Sequence, residues 1–324
     1  MNTPKRVIKV GVVGAGSMGK NHVRVATSNP LMDCIGLFDP SETIGRNVAS
    51  LYSTKYFPNY QDMLDEVEAV VIASPTTTHF EMAKLAIENG KHCLIEKPIT
   101  VTVEEGEKLL ALAEQYNVTI EVGHVERYNP VYSELIKILE SEEILAVKAN
   151  RLSFNVSRAN DVDVVLDLMI HDLDTINQLL GGDLEVKGAI GATFLSPSND
   201  YVNALFKGRN GMLAEVTASK VSQTKQRDLT ISCSDCFIKV DYLRKEIEIN
   251  RHAVSKYVSD EHNVKYKHES LVERVYVPNS EPLMAEHVDF AESIIEGREP
   301  IVTGHAGLST LKLAIEVQKQ CVIL

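Results

Sequence analysis

The chain has 324 residues, 44% of them hydrophobic and 24% charged, and a formal net charge of -12 at pH 7. This composition is typical of a globular protein with about two domains, and it excludes disordered and fibrous classes. An acidic chain lacks the basic face that binds nucleic acid or an anionic membrane, so we expect neither partner. No segment approaches the roughly 20 apolar residues that span a bilayer, and the N-terminus lacks the pattern of a signal peptide, so the expected compartment is the cytoplasm.

The first part of the chain alternates short apolar runs with amphipathic segments. The predicted strands lie at residues 7–13, 32–38, 69–73, 92–95 and 118–122. The predicted helices lie at residues 18–28, 41–52, 79–89 and 103–116. Thr102 and Glu105 form a capping-box pattern before the last of these helices. Since strands that alternate with helices at this spacing form a parallel sheet covered on both faces, this part is predicted to be an α/β domain.

The pattern changes beyond the fifth predicted strand. One helix is expected to begin at Pro130, capped by Asn129, and a second to cover residues 163–180. Extended segments follow without intervening helices, at residues 184–194, 201–207, 212–221, 228–241 and 245–250. Two more helices are expected, at residues 283–296 and 306–320. We therefore predict an α/β protein in which residues 1–123 form the parallel domain and residues 124–324 form an α+β domain with a large, mostly antiparallel open sheet.

The segment GVVGAGSMG contains three glycines in G-x-G-x-x-G spacing, between a predicted strand and a predicted helix. Gly14 allows the tight turn, Gly16 lets the backbone approach a pyrophosphate, and Gly19 lets the helix pack on the strand. The helix N-terminus then offers free N–H groups to the phosphates. Asp39, after the second predicted strand, can accept hydrogen bonds from both hydroxyls of an adenosine ribose and would repel a 2′-phosphate, so we expect NAD rather than NADP. As an alternative, Asp39 caps the helix that follows Pro40.

Polar residues follow two further predicted strands, in IASPTTTH (72–79) and IEKP (95–98). In an open parallel sheet, ligands bind at the carboxyl ends of the strands. Glu96 and Lys97 are therefore expected where the nicotinamide end of the cofactor meets the substrate, with Pro98 fixing the turn. A lysine there favours the alkoxide-like form of a hydroxyl as hydride leaves. As an alternative, a Glu-Lys pair of this kind is solvated in a loop.

The segment DLMIHDLD (167–174) lies within the helix predicted at residues 163–180. Asp167 and His171 are four residues apart and therefore share one face of that helix. His171 can take the proton of a substrate hydroxyl, while Asp167 orients the substrate or the imidazole. The alternative is an ordinary surface pair, or a core histidine satisfied by its neighbour.

The five cysteines are scattered, which fits a reducing compartment. Cys233 and Cys236, in CSDC, have the spacing of a zinc or redox pair. No second pair of cysteines or histidines follows, and the segment is strand-like, so we expect no metal site.

Together these motifs resemble the Gfo/Idh/MocA family, which includes glucose-fructose oxidoreductase and inositol 2-dehydrogenase, over essentially the whole chain. The resemblance rests on the glycine loop, SPTTTH, EKP, GHVERYNP at residues 123–130, DLMIHDLD, and the closing segment EGREPIVTGHAGLSTLKLAIEVQKQ. It implies an N-terminal Rossmann domain that binds NAD, and a C-terminal α+β domain whose open sheet often forms the interface of a homodimer or homotetramer. It also implies reversible oxidation of a secondary alcohol on a sugar or polyol.

The resemblance further implies which residues form the site. The catalytic residues would be Lys97, Asp167 and His171. The residues expected to bind the cofactor are Gly14, Gly16, Ser17, Met18, Gly19, Asp39, Ser74, Pro75, Thr76, His79, Glu96 and Lys97. The residues expected to bind the substrate are Arg127, Tyr128, Asn129, Asp167 and His171.

The segments DVDVVLDLMIHDLD and VGHVERYNP resemble the branch of the family that contains UDP-N-acetylglucosamine 3-dehydrogenases, which make a 3-keto nucleotide sugar for later amination. Its diphosphate would need cations, for which Arg127, Arg151 and Arg158 are candidates, although all three can equally be solvated surface charges. The alternatives are an inositol or free-sugar dehydrogenase of the same family, and a regulatory protein that holds NAD without turnover. The glycine loop continues GKNH, which argues against a P-loop protein.

Overall fold

The computed structural model of the protein describes residues 6–154, 163–252, 256–260, 263–267 and 270–323. Its strands are β1 Ile8–Val13, β2 Met32–Phe38, β3 Lys55–Phe57, β4 Ala69–Ile72, β5 His92–Glu96, β6 Ile120–Gly123, β7 Ile144–Phe154, β8 Glu185–Ala192, β9 Tyr201–Lys207, β10 Leu213–Ser219, β11 Val221–Cys233, β12 Cys236–Asp241, β13 Glu246–His252, β14 Lys256–Asp260, β15 Asn263–Lys267, β16 Ser270–Val275 and β17 Cys321–Ile323. Its helices are α1 Ser17–Ser28, α2 Glu42–Leu51, α3 Tyr60–Leu64, α4 His79–Glu88, α5 Val103–Tyr116, α6 Pro130–Leu139, α7 Ile170–Leu179, α8 Pro282–Glu296 and α9 Gly304–Gln320. Within the described ranges, no helix combines the length and the apolar character needed to cross a bilayer.

The chain divides into two compact units, and the division is not a single cut along the sequence. The first unit consists of the chain up to Tyr128 together with Ser280–Lys312. The second consists of Asn129–Asn279 and Leu313–Leu324. The predicted division after Gly123 did not include the return of the chain to the first unit at Ser280. No local pattern in α8 indicates which of the two sheets this helix packs against.

The first unit is built on a sheet of six strands in the order β3-β2-β1-β4-β5-β6, all of them parallel. This is a strand order of doubly wound sheets that bind dinucleotides at the carboxyl edge. The predicted parallel sheet is confirmed. The sequence analysis missed β3 because a strand of three residues is too short to show a periodic pattern.

The helices of the first unit bury apolar side chains against this sheet. Its core joins residues of β1, β2, α1 and α2 to residues of α8, where Phe290 and Ala291 are fully buried.

The helix α5 begins at the predicted capping box. The Thr102 hydroxyl accepts from the Glu105 N–H at 3.2 Å, and the Thr102 N–H donates to the Glu105 carboxylate at 3.1 Å. These contacts satisfy N–H groups that a helix terminus leaves without an intrahelical partner.

The second unit contains a sheet of nine strands in the order β16-β13-β12-β11-β7-β10-β9-β8-β17. Neighbouring strands are antiparallel except for two parallel pairs, β7 with β10 and β8 with β17. The predicted open, mostly antiparallel sheet is confirmed. The central strand β7 was not predicted, because the small Ala149 and the polar Arg151 occupy buried positions and weaken the apolar alternation.

Helices α6 and α7 and the end of α9 supply the core of the second unit together with the sheet. Leu135, Ile176 and Val317 are among its fully buried residues. The helix predicted at residues 163–180 is in fact a π-helical turn, Val165–Met169, followed by α7. A π-helical turn closes i→i+5 hydrogen bonds instead of the i→i+4 bonds of an α-helix.

Candidate active site

The glycine loop joins the end of β1 to α1, and each glycine meets a different local demand. Gly14 has a φ of +98°, and a β-carbon there would lie 2.8 Å from the carbonyl oxygen of Ala73. A β-carbon on Gly19 would overlap the carbonyl oxygen of Gly14. At Gly16, by contrast, no atom of the described chain lies within 4 Å of such a β-carbon. The first and third glycines are therefore required by the fold itself, whereas the space beside Gly16 is open to a ligand.

The first turn of α1 can receive an anion. No side chain among the described residues caps its N-terminus, and Gly16, Ser17 and Met18 are exposed. The N–H groups of an uncapped first turn carry the positive end of the helix dipole. The open space at Gly16 and these donors fit the diphosphate of a dinucleotide.

The carboxylate of Asp39 braces the glycine loop. One oxygen accepts from the Ala15 N–H at 2.7 Å, and the other accepts from the Ser41 N–H at 2.8 Å, just before α2. The alternative raised from the sequence, that Asp39 caps the helix after Pro40, is wrong: Ser41 occupies the N-cap position of α2, and no side chain among the described residues caps that helix. Each carboxylate oxygen can accept more than one hydrogen bond, so these contacts leave capacity for ribose hydroxyls.

His79 ties together the two polar loops that follow β4 and β5. Its Nε2 lies 2.9 Å from the Ser74 carbonyl oxygen, and its Nδ1 lies 2.9 Å from the Pro98 carbonyl oxygen. Burial lowers the pKa of His79, while the two carbonyl groups act in the opposite direction. His79 was predicted to bind the cofactor, but its ring is buried and both nitrogens face the chain, so it holds the loops in place. Of the other predicted loop residues, Pro75 is exposed and Thr76 is partly exposed.

Glu96 stands at the end of a chain of buried histidines. Its Oε1 lies 2.9 Å from Nε2 of His22, and Nδ1 of His22 lies 2.8 Å from Nε2 of His287. Its other oxygen accepts from the Lys97 N–H at 3.1 Å. Burial alone would raise the pKa of Glu96, but the hydrogen bond to His22 and the nearby charges outweigh it and lower that pKa. Glu96 is therefore a carboxylate at neutral pH.

The ionised Glu96 fixes the direction of its own hydrogen bond to His22. A carboxylate only accepts, so Nε2 of His22 donates to Glu96. The direction of the bond between Nδ1 of His22 and Nε2 of His287 depends on which of these two nitrogens carries a proton. Burial lowers the pKa of His287 well below its ordinary value, which agrees with a neutral ring. The sequence analysis missed both histidines, since a lone histidine within a helix gives no signal of its partner.

A second buried polar group lies in the same unit, around Tyr128. The Tyr128 hydroxyl is 2.7 Å from Glu121 and 2.9 Å from Asp289, and Arg298 pairs with Asp289 at 2.7 Å. Neither carboxyl oxygen of Glu286 has a hydrogen-bond partner among the described residues. Burial raises the pKa of both Glu121 and Glu286 well above the usual range, which favours the protonated form of each carboxyl group.

Two residues predicted to bind substrate also have partners within the fold. The hydroxyl of Tyr128 is buried in contact with Glu121 and Asp289. Asn129 caps α6, where its side-chain oxygen accepts from the Val131 N–H at 3.1 Å. The predicted cap is confirmed, and a contact of either residue with substrate stays a prediction.

Three arginines were candidates for binding the diphosphate of the substrate. The structure describes two of them, and both are buried. Arg127 is 8% exposed and lies in the short helical turn that precedes α6. Arg151 is 2% exposed and forms a bidentate pair with Asp172, at 2.7 and 2.9 Å. Arg151 therefore braces the beginning of α7, and its prediction as a diphosphate ligand was wrong. Arg158 lies outside the described residues.

In the second unit, Asp167 lies on the π-helical turn and His171 near the beginning of α7. Asp167 pairs with Lys220 at 3.1 Å. The Lys220 side chain is only 7% exposed, whereas that of Asp167 is 33% exposed. A buried ammonium thus holds a carboxylate that remains partly open to solvent. Lys220 was missed because a single lysine between β10 and β11 shows no pattern.

The structure gathers the predicted cofactor residues at the carboxyl edge of the first sheet. Gly14 packs on the loop after β4, Asp39 holds the glycine loop, and His79 joins Ser74 to the Pro98 turn. Lys97 belongs to the first unit, and Asp167 and His171 belong to the second.

Two family models and a related enzyme match the chain. Residues 8–124 match the model of an oxidoreductase family with an NAD-binding Rossmann fold, and residues 145–239 match the Gfo/Idh/MocA C-terminal domain. The chain is 31% identical over 314 residues to UDP-N-acetylglucosamine 3-dehydrogenase of Acidithiobacillus ferrooxidans, covering 96% of each chain. A solved structure of that enzyme has a TM-score of 0.88 at 30% identity, covering 97% of each chain.

More distant relatives differ in substrate and cofactor. The NAD-dependent scyllo-inositol 2-dehydrogenase of Bacillus subtilis is 27% identical over 232 residues, which cover 66% of this chain and 68% of that one. A 3-ketoreductase from Actinomadura kijaniata, solved in complex with NADP, has a TM-score of 0.83 at 18% identity, covering 98% of this chain and 99% of that one. At that identity the likeness concerns the fold alone.

Proposed function

The chain belongs to the Gfo/Idh/MocA oxidoreductase family, and from that premise we propose that it is an NAD-dependent dehydrogenase that oxidises UDP-N-acetylglucosamine to its 3-keto form. The observation that carries the proposal is the carboxyl edge of the first sheet. This edge combines the open space at Gly16, the uncapped N-terminus of α1 and the ionised Glu96, and His22 of α1 is hydrogen-bonded to Glu96. The choice of sugar is supported by the similarity to UDP-N-acetylglucosamine 3-dehydrogenase over 96% of both chains.

In this proposal the first unit holds the cofactor through its own backbone and two side chains. The space at Gly16 and the first turn of α1 take the diphosphate. Asp39 binds the adenosine ribose and repels a 2′-phosphate, which favours NAD over NADP. Glu96 holds the nicotinamide ribose, in an orientation set by His22. When bound, NAD supplies the hydride acceptor.

The catalytic groups divide the remaining work. His171 removes the proton of the substrate hydroxyl as the carbinol hydrogen leaves as hydride. Lys97 stabilises the negative charge that develops on the oxygen. Asp167, held by Lys220 at 3.1 Å, orients the sugar or the imidazole. The products are a ketone, a reduced cofactor and a protonated base, so protons and electrons balance.

The open sheet of the second unit supports a further part of the proposal, a homodimer or homotetramer. Leu205 and Leu213, on neighbouring strands, are 52% and 59% exposed. Contiguous exposed apolar residues on a sheet mark interaction surfaces. Light scattering on the purified protein measures the state directly, and a monomer at micromolar concentration would contradict this part.

The test of the proposed function is a substrate panel. The purified protein is incubated with NAD and, separately, with UDP-sugars, free hexoses and inositols, while NADH absorbance is followed and products are weighed by mass spectrometry. We expect reduction of NAD with UDP-N-acetylglucosamine and a product lighter by two hydrogens. Absence of turnover with every nucleotide sugar would overturn the proposed substrate.

Variants test the assigned roles in the same assay. Lys97→Ala and His171→Ala should each lower turnover by about 100-fold or more while NAD still binds. Lys84→Ala, which removes a partly exposed lysine on α4, is the matched control and should behave as the wild type. Near-normal turnover in either active-site variant would remove that residue from its role.

A second candidate function is the oxidation of inositol, favoured by the similarity to scyllo-inositol 2-dehydrogenase. The same panel separates the two. Turnover with inositols and none with nucleotide sugars would establish the second candidate, and bound NAD that no member of the panel reduces would indicate a regulatory protein.

A further inference from the structure

Three potential metal ligands meet in the second unit, away from the residues proposed for catalysis. Cys233 ends β11 and Cys236 begins β12, so the two thiols flank a tight hairpin turn. Glu142, from the loop before β7, completes the group, which we call the Cys-Cys-Glu cluster. The two sulfur atoms and a carboxylate oxygen lie within 4.8 Å of one another.

The cluster is built into the interior of the unit. Cys233 is 8% exposed and Cys236 is 4% exposed, and the side chain of Glu142 is 7% exposed. The Cys236 thiol is also hydrogen-bonded to the Glu142 carboxylate. Solvated surface groups do not converge in this manner. No metal site was expected from the sequence, because no second pair of cysteines or histidines follows and the segment is strand-like; Glu142, far from the cysteines in sequence, was not considered.

We propose that the Cys-Cys-Glu cluster binds one Zn²⁺ ion through Cys233, Cys236 and Glu142, with water in the fourth position. Two cysteines with two residues between them are a recurrent half of a zinc site, and zinc accepts carboxylate oxygen as a further ligand. Thiolates also select zinc over magnesium and calcium, which prefer oxygen ligands.

The charges around the cluster suit a divalent cation. At neutral pH free thiols are largely protonated, so one Zn²⁺ displaces two protons and the net charge of the cluster does not change. Glu142 is already balanced by Arg251, whose Nη2 lies 2.8 Å from Oε1 of Glu142. Binding of the ion therefore leaves no unpaired charge in the buried Cys-Cys-Glu cluster.

Arg251 also orients the carboxylate that would bind the ion. It holds one oxygen of Glu142, and its Nε donates to Glu273 at 3.0 Å, so its own direction is fixed. Outer partners of this kind hold metal ligands in position. The bound ion would fasten the loop before β7 to the β11–β12 hairpin, and because it binds only the folded unit it would stabilise that unit.

The test uses the full chain, reduced and freed of metal by dialysis against a chelator. Calorimetric titration with Zn²⁺ should give one ion per chain. Titration with Co²⁺ should give the intense sulfur-to-metal absorption of thiolate ligands, which reports ligand identity without any assay of activity. Thermal unfolding should shift to higher temperature with Zn²⁺.

Variants decide whether the signal comes from this cluster. Cys233→Ser and Cys236→Ser should abolish the Co²⁺ absorption, and Cys34→Ser, which removes a half-buried cysteine of the first unit, is the matched control and should keep it. Arg251→Lys should weaken zinc binding by about 10-fold, as expected for an outer partner.

The proposal is overturned by any of three results. These are no stoichiometric Zn²⁺ binding by the reduced wild type, a Co²⁺ complex without sulfur absorption, or binding that survives in both cysteine variants. If either variant fails to fold, the wild-type Co²⁺ spectrum alone decides, because it counts the thiolates on the metal.

Discussion

Replacing Gly16 by alanine is expected to separate cofactor binding from folding. The backbone at Gly16 has φ -67° and ψ -165°, which an L-residue adopts without strain. A β-carbon there meets no atom of the described chain within 4 Å. Alanine is a poorer N-cap than glycine, which destabilises the folded state by some tenths of a kcal/mol. Alanine also lowers the conformational entropy of the unfolded chain, which stabilises the folded state by a similar amount. The free energy of unfolding should therefore change by less than about 1 kcal/mol.

Cofactor binding should respond quite differently to Gly16→Ala. In the proposed site the new methyl group occupies the space through which the backbone approaches the diphosphate. We expect the dissociation constant for NAD to rise at least 10-fold, which corresponds to about 1.4 kcal/mol. Titration calorimetry or quenching of intrinsic fluorescence by NAD measures it, and thermal unfolding of the same preparation measures stability.

Gly19→Ala is the matched variant with the opposite profile. Its β-carbon would lie closer than 3.0 Å to the Gly14 carbonyl oxygen, so the loop or α1 must move. Overpacking of this kind costs about 1–3 kcal/mol and should lower the melting temperature of the first unit by several degrees. If Gly16→Ala binds NAD within twofold of the wild type, the diphosphate does not lie where we place it.

Three other side chains carry separate expectations. Asp39→Asn keeps the shape but removes the charge, and should shift the ratio of NAD to NADP dissociation constants toward NADP by about 10-fold, measured by paired titrations. Glu286→Gln should raise the melting temperature more at pH 8 than at pH 5. Burial raises the pKa of Glu286, so the folded wild type keeps a proton that the unfolded chain releases above about pH 4.3. The stability of the wild type therefore falls as the pH rises toward the folded pKa, whereas glutamine does not titrate. An equal shift at both pH values would contradict this. Arg151→Met should cost about 3–5 kcal/mol in chemical denaturation by leaving Asp172 buried and unpaired, and adding Asp172→Leu should recover most of it.

The parts of the fold that the sequence predicted rest on residues close together in the chain. The parallel sheet, the capping box at Thr102 and the cap at Asn129 each follow from a local pattern, and the structure confirms them. β7 could not be recognised in this way, since Arg151 occupies one of its buried positions and only the pairing with Asp172 makes that tolerable.

The candidate site shows the same limit. The glycine loop and the EKP turn are local motifs and were visible, but the contacts that orient them are not local. His22 and His287 are separated by 265 residues, and Asp167 and Lys220 lie on different elements. Tyr128 was assigned to substrate because of its neighbours in GHVERYNP, whereas its contact with Asp289 decides what its hydroxyl does.

The helix α8 belongs to the first unit but comes late in the sequence, and this has a consequence for synthesis of the protein. Translation delivers β1 to β6 early, but Phe290 and Ala291, which are part of the same core, emerge only after Asn129–Asn279 of the second unit has been made. The unit whose synthesis begins first therefore stays incomplete while most of the second unit is made, and a nascent chain carries its apolar surface uncovered during that interval. For the same reason, truncation after Tyr128 leaves an incomplete unit. A stand-alone cofactor-binding protein requires that Ser280–Lys312 be joined behind Tyr128 by a linker. This linker would replace the first two of the three crossings between units and give a single contiguous domain.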